Sequence, residues 1–373
     1  MLEFDCRRYL GWANKDYAWK RSVDEYQRQY VTPFPGEEIK VAREIKKTPI
    51  YDKLKELGAK YIDSYGWEKP TWFSKNGDNE KFSYRRTNSF ETVKLECEKI
   101  KNNVGVLDLS TFAKYEISGP DSESYLNRLC ANSIPKTEGK IILTHMLNNK
   151  GRIQSEITVT RLKDGAFYIL SSTASELRDL DWFCFQKNRN ESVKISNISN
   201  NYGVLVLVGP ESRNVLSSIT EFDVSNKNFP WLQAREFNIN EIPIRALRIN
   251  YIGELGWELH HPMNKMEKLY DILYSAGKKY EITNFGTYAV NSLRIEKAYK
   301  GWGSELTGEI SLVESGMDRF YNLSKKDDFI GSNSVKEKLK NGVAIKIVHL
   351  EIDADSSDAI GNEPIYHNGK IVG

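Results

Sequence analysis

Apolar positions along this chain follow two periods, and the change of period marks the predicted elements. Residues 104–109, 115–119, 141–147, 152–161 and 166–170 alternate apolar and polar with a repeat of two, which predicts half-buried strands. Turn residues at 148–151 and 163–165 separate the last three, so they read as an antiparallel meander. Residues 204–208 run Val-Leu-Val-Leu-Val, as a strand buried on both faces does. Helical spacing covers 121–130, 174–185, 263–274 and 288–298, with a short amphipathic helix over 48–58 that carries Pro49 near its start, where a missing N–H costs little. Residues 24–30 are helix-compatible and end at Thr32-Pro33-Phe34-Pro35-Gly36. Residues 343–352 predict a strand, and 364–373 a hairpin. The turn-to-helix start Gly119-Pro120-Asp121 recurs as Gly209-Pro210-Glu211, which suggests an internal duplication of a strand–helix unit. Strands and helices in this order predict an α+β fold of antiparallel sheets.

One stretch breaks its own pattern. Ile244, Leu247, Ile249 and Tyr251 form a β-rich run that stops at Gly253 and Gly256, and Trp257-Glu258-Leu259 resumes it. Two glycines three apart allow a positive φ or a close backbone approach, so a tight turn or bulge belongs there. Glu258 then stands between two large apolar neighbours. Such a carboxylate either faces solvent or is held in a pocket for a polar ligand.

Composition removes several classes. The 373 residues carry 53 basic and 51 acidic side chains, a net charge of +2, so no nucleic-acid footprint exists. Cys6, Cys97, Cys130 and Cys184 are widely spaced, without a C-x-x-C, and no Cys/His group has zinc spacing; His260 and His261 would point to opposite faces of a strand. A metal site is therefore not expected, and reduced cysteines suit a cytoplasmic or matrix-like compartment. No apolar run approaches membrane length. No G-x-G-x-x-G follows a strand, and neither a P-loop nor a G-x-S-x-G elbow occurs.

The run Arg248-Ile-Asn-Tyr251-Ile-Gly253-Glu254-Leu-Gly256-Trp257-Glu258, together with Ser292-Leu293-Arg294-Ile295-Glu296, resembles the folate-binding aminomethyltransferase family of the glycine-cleavage T-protein. Tyr65-Gly-Trp-Glu-Lys-Pro-Thr-Trp-Phe73, Arg85-Arg-Thr-Asn88, Asn284-Phe-Gly-Thr-Tyr-Ala289 and Phe329-Ile-Gly331 make the likeness closest to the carboxy-terminal half of dimethylglycine and sarcosine dehydrogenases. The resemblance implies an α+β architecture of two interleaved units around a central folate cavity, followed by the start of a carboxy-terminal β-barrel. It places residues 1–84 as a segment that packs on an upstream FAD domain, 85–335 as the folate-binding core, and 336–373 as the incomplete barrel.

The same resemblance implies an enzyme: tetrahydrofolate-dependent one-carbon transfer, capturing the carbon of an oxidised N-methyl group as 5,10-methylene-tetrahydrofolate. FAD would reside only on an upstream domain, and the substrate would be a methylated amine. The resemblance makes Glu156 the candidate catalytic carboxylate; on its strand Ile153, Ser155, Ile157 and Val159 point one way while Gln154, Glu156 and Thr158 point the other, toward solvent or the implied cavity. Glu258 is the candidate pterin anchor, accepting two parallel N–H bonds. Ile157, Thr158, Tyr251, Leu259, His260 and Arg294 complete the expected folate contacts. His145 lines the cavity or is a satisfied core histidine. Two positions depart from family patterns: Val290 stands where T-proteins carry arginine, and Arg319 where the dehydrogenase branch can carry tyrosine, leaving lysines to hold the folate tail. The alternatives are a standalone folate-dependent demethylase and a non-catalytic folate-binding accessory protein. The compartment expected is bacterial cytoplasm or, in a eukaryote, the mitochondrial matrix.

Overall fold

The computed structural model describes residues 11–373 apart from Asp327. A helix, α1 (Lys15–Arg28), leads the chain and starts where the Asn14 side chain accepts the Tyr17 N–H at 2.8 Å. That cap sets a helix longer than the expected 24–30 and earlier in the chain. After α2 (Tyr51–Glu56), the strands β1 (Ala59–Ser64) and β2 (Trp67–Phe73) form a hairpin. Ile50, Leu54, Ala59 and Phe73 lie in the same core as the strands that follow, so this part of the leading segment is packed into the body. The buried Glu96 of α3 (Phe90–Asn102) accepts N–H bonds from Phe73 and Gly286 at 2.8 and 3.0 Å, and burial pushes its carboxyl up to about 7.

From there the chain begins one sheet, builds another, and returns. β3 (Gly105–Asp108) opens a six-stranded sheet. The chain then crosses to a five-stranded sheet made of β4 (Ala113–Ser118), β5 (Ile141–Leu147), β6 (Ile153–Arg161), β7 (Phe167–Ser171) and β8 (Lys194–Asn197), in the order β5-β6-β7-β4-β8. Helices α4 (Ser122–Leu129) and α5 (Glu176–Gln186) follow β4 and β7. A second crossing leads back to β9 (Tyr202–Val208), which pairs antiparallel beside β3. The first sheet is completed by α6 (Ser212–Ser217), β10 (Ala234–Ile239), β11 (Ile242–Leu247), β12 (Gly256–Pro262), α7 (Met266–Gly277) and β13 (Thr283–Asn284). Its order is β10-β11-β12-β9-β3-β13.

The two sheets share one plan. The five-stranded sheet from β4, and the six-stranded sheet from β9, each run strand, helix, three-strand meander, helix and last strand, and β4 and β9 each pair with the end of their meander. The repeated Gly-Pro-acid turn sits at the same place in both, after β4 and after β9, with φ of +113° at Gly119 and +120° at Gly209. The five-stranded unit is thus inserted between β3 and β9, strands that lie side by side. Behind it, Tyr115, Leu126, Ile157, Ile169 and Phe183 form one core; behind the other, Leu205, Leu207, Trp257, Leu259 and Leu269 form a second.

Two sequence expectations are corrected. Residues 343–352, past α9 (Ser332–Asn341), form no strand: the Ile347 N–H donates to the Glu314 carbonyl at 2.9 Å, but no described strand pairs with them, and Ile345, Val348, Leu350 and Ile352 are exposed. A strand needs a partner edge to satisfy its N–H and C=O groups. The region expected to start a barrel, 336–373, holds the end of α9 and the short hairpin β14 (Tyr366–His367) and β15 (Lys370–Ile371). The run to Tyr251 also stops early, at Leu247, because the Asn250 side chain accepts the N–H groups of Ile252 and Gly253 at 2.9 Å each and bends the chain.

Gly256, singled out by its spacing, is where β12 meets β9: a Cβ there would stand 2.6 Å from the Leu207 carbonyl oxygen. Gly256→Ala is expected to cost about 1–3 kcal/mol by overpacking. Thermal unfolding checks it; an unchanged melting temperature would contradict that close approach.

Candidate functional site

The first polar group forms across β5 and β6. Glu156 pairs with His145 in register, and the His145 Nε2 lies 2.9 Å from the Glu156 Oε2. His145 is fully buried with the Phe320 ring edge-on at 6.2 Å, and its Nδ1 meets no protein group in hydrogen-bonding geometry. The alternation predicted for β6 holds: Ile153, Ser155, Ile157 and Val159 are buried, while Gln154, Glu156 and Thr158 keep partial exposure. Ser155 donates to the buried Asp179 at 2.7 Å, behind the sheet.

Tyr251 comes to this group from the β11–β12 loop. Its hydroxyl is buried beside Gly301, outside hydrogen-bonding geometry with any protein atom. Burial raises its pKa; the Arg294 cation opposes that rise, and the Glu156 charge adds to it. Arg294, on α8 (Thr287–Glu296), stands 6.0 Å over the Tyr251 ring. Its guanidinium is committed to both Glu305 oxygens at 2.9 Å and to the Tyr299 carbonyl at 2.9 Å.

A second group forms on β12. Glu258 is 7% exposed, and its carboxyl is pushed up to about 8 by burial, against the pull of the Lys114 ammonium. His260, on the same face, places Nε2 3.3 Å from the Glu258 Oε2 and Nδ1 2.9 Å from the Tyr168 hydroxyl. Burial, then the charges of Lys114 and Arg245, hold His260 well below the usual histidine range, so it is neutral. Lys114 has no exposed surface and donates to the carbonyls of Ser110, Phe112 and Ser199 at 2.8, 2.8 and 3.4 Å. Burial lowers its pKa to about 8, and the carboxylates of Asp108, Glu176 and Glu258 work the other way.

Both groups face the space between the sheets. On β7, Phe167 and Ile169 enter the core behind, so Tyr168 points to the opposite face, the one that also carries Glu156. The Tyr168–His260 contact shows that this face meets the face of β12 bearing Glu258. Tyr168 and Leu170 pack there with Ala234 and Leu247 of the other sheet. Of the expected residues, Glu156, Thr158, Glu258 and His260 therefore stand on the facing sides of the two sheets, and Tyr251 lies within reach of the Glu156 charge. Ile157 and Leu259 turn away from the gap into the two cores, and Trp257 does the same. Lys114 and Tyr168 were not anticipated, since a lysine or tyrosine in an alternating strand has no mark that separates gap from solvent. Among the described residues, no group of three His, Cys, Asp or Glu side chains could hold a metal ion.

Comparison with known families matches the GCVT N-terminal domain over residues 50–325 and the FAD dependent oxidoreductase central domain over residues 1–48. The chain belongs to the GCVT aminomethyltransferase family. Dimethylglycine dehydrogenase of Mus musculus is 39% identical over 377 residues, which take in all of this chain and 43% of that protein. Sarcosine dehydrogenase of Homo sapiens is 26% identical over 415 residues, and this chain spans 45% of it. An aminomethyltransferase of Halalkalibacterium halodurans is 30% identical over 330 residues, 88% of this chain and 84% of that one. The crystal structure of the glycine cleavage system aminomethyltransferase T from Bartonella henselae shares the fold, with a TM-score of 0.68 at 19% identity over 80% of this chain and 76% of that one. The chain thus spans less than half the length of the dehydrogenases it matches, and the family region takes in the β1–β2 hairpin and both sheets.

The raised Glu258 carboxyl has a thermodynamic consequence. Between its ordinary value of 4.5 and about 8, the folded chain holds a proton that the unfolded chain has lost, so stability falls as pH rises through that window. Glu258→Gln removes this dependence. Its stability is expected to gain on the parent protein between pH 5.5 and 8, with a ceiling of about 3 kcal/mol, read as a rising melting-temperature difference. Parallel melting curves across that range would contradict a buried carboxyl.

Proposed function

We propose that this chain is the tetrahydrofolate-binding, one-carbon-accepting part of a dimethylglycine- or sarcosine-dehydrogenase-like protein. The observation that carries the reading is the pair of carboxylates, Glu156 and Glu258, on facing walls of one inter-sheet gap in a chain of this family. The donor set suits a reduced pterin. Glu258 is an acceptor pointed into a desolvated space, matched to the two parallel N–H groups of an aminopyrimidine. Tyr251 adds an aromatic wall and a hydroxyl without a protein partner.

Tetrahydrofolate, when bound, supplies the nucleophilic nitrogens that take up the carbon as 5,10-methylene-tetrahydrofolate. The chain's residues do the rest. Glu258 orients the ring, and Glu156 accepts the proton that the attacking nitrogen must lose, with His145 holding its carboxylate at 2.9 Å. Arg294, paired with Glu305, shapes the Tyr251 wall and leaves the ligand to others. Enclosure between the sheets keeps water from the reactive carbon. Oxidation of the methylated amine belongs to an FAD domain upstream. Residues 1–48 match the central domain of such oxidoreductases, and α1 turns Trp19 and Tyr26 outward, with Tyr30 exposed just past its end, as a face for it. Of the expected 1–84 contact segment, this leaves the part before residue 50, with the folate core running on to 335. The mitochondrial dehydrogenases named above favour the matrix as the compartment in a eukaryote.

Calorimetric titration with 5-formyltetrahydrofolate tests the anchor. Glu258→Gln is expected to weaken binding by roughly tenfold or more, the scale of a charge-assisted hydrogen bond. Glu156→Gln should leave that affinity nearly unchanged yet slow the formation of methylene-tetrahydrofolate from formaldehyde by about 100-fold, as loss of a general base does. Unaltered binding in the Glu258 variant would remove the anchor role.

A further inference from the structure

We propose that Tyr168, His260 and Lys114 are positioning residues that hold Glu258 in one protonation state and one orientation for its ligand. This inference rests on the pterin-anchor reading of Glu258 and deepens it.

The direction of the hydrogen bonds follows from chemistry. The Tyr168 phenol is buried, and burial raises its pKa, so the hydroxyl keeps its proton and donates to the His260 Nδ1 at 2.9 Å. A neutral imidazole that accepts at Nδ1 carries its hydrogen on Nε2. That Nε2–H faces the Glu258 Oε2 at 3.3 Å, so it donates to the carboxylate. The tautomer of a histidine on one sheet is therefore chosen by a tyrosine on the other. Lys114 contributes differently: its ammonium hydrogens go to three backbone carbonyls, which leaves it to act on Glu258 through charge alone. Among the described residues, the protein hydrogen bond to Glu258 comes from His260, leaving acceptor capacity for a ligand that presents paired N–H groups.

The other groups facing this array are accounted for. The Arg245 guanidinium stands 4.6 Å over the Tyr168 ring, Tyr202 meets that ring edge-on at 6.2 Å, and Asp108 and Glu176 act on Lys114. His261 points to the opposite face of β12, where its Nε2 lies against Gly203. None of these replaces the phenol hydroxyl as the donor to Nδ1.

Tyr168→Phe removes that hydroxyl and keeps the ring, which packs edge-on to His260 at 5.3 Å. Binding of 5-formyltetrahydrofolate by the full chain, measured from pH 6 to 9.5, reads the effect. With its tautomer unfixed, His260 can turn a lone pair to Glu258, and the carboxyl then holds its proton to higher pH. The acid limb of the affinity profile should move up, with about fivefold weaker binding at pH 6.5 and little change at pH 9.5. A tyrosine that only joins the sheets would lower the melting temperature and leave the profile in place, which overturns the proposal. A second measurement needs no ligand and no variant: the 15N shifts of His260 in the wild-type chain should report hydrogen on Nε2, and an Nδ1–H form or an imidazolium would also overturn it. If instead Glu258→Gln leaves affinity unchanged while His260 shows the Nε2–H form, the anchor reading fails and the relay stands as geometry.

Discussion

An ammonium group sealed from water at the crossing of two chain connections holds this architecture in register. The carbonyls of Ser110 and Phe112 lie on the connection from β3 to β4, and that of Ser199 lies on the return from β8 to β9. Lys114 bonds all three, so one cation ties the outgoing and returning crossings between the two sheets. The Ser199 hydroxyl adds to the joint by accepting the Lys114 N–H at 2.9 Å. A buried charge is costly unless its hydrogen-bonding capacity is met. Here it is met by backbone, which leaves the charge itself uncancelled. Its field reaches the gap, where Glu258 lies.

That arrangement links topology to chemistry. Because the five-stranded unit is inserted between neighbouring strands of the other sheet, the two sheets must face one another close to the insertion point. Strand alternation then puts apolar cores behind each sheet and a second row of side chains between them. The inner row carries polar groups on both walls, His145, Glu156 and Thr158 on one and Glu258 and His260 on the other, beside the apolar contact of Tyr168 and Leu170 with Ala234 and Leu247. Repetition of a single strand–helix plan gives two walls of like build, yet the carboxylates they carry sit in different settings. Glu156 has a histidine and partial exposure, whereas Glu258 is desolvated beside a cation.

Much of this was legible in the order of residues. The β6 alternation separated Glu156 from the core, the glycine spacing located the β12–β9 approach, and the repeated Gly-Pro-acid turn marked the duplicated unit. What escaped the sequence depended on partners distant along the chain. Tyr168 and Lys114 look like ordinary strand residues until the second sheet arrives, and Asn250 closes a loop where the apolar pattern alone continues a strand. Residues 343–352 err the other way: their alternation is strand-like, but no described edge receives them. The resemblance counts Ile157 and Leu259 among the folate contacts, and a period of two sends the side chain of each to the wall's far side.

The contrast between the two carboxylates argues for separate tasks. A group that must exchange protons during a reaction works best with a partner at hand and some access to water, which describes Glu156 beside His145. A group that must hold a ligand in one orientation gains from burial, since each hydrogen bond it makes is stronger in a low dielectric. Burial also drives such a carboxyl toward its neutral form, which would cost it the second acceptor oxygen. A fixed cation and a histidine of set tautomer are the two remedies that do not fill the binding space. Lys114 and His260 supply both beside Glu258, so under the proposed function the features that join the sheets would also prepare the anchor for a ligand.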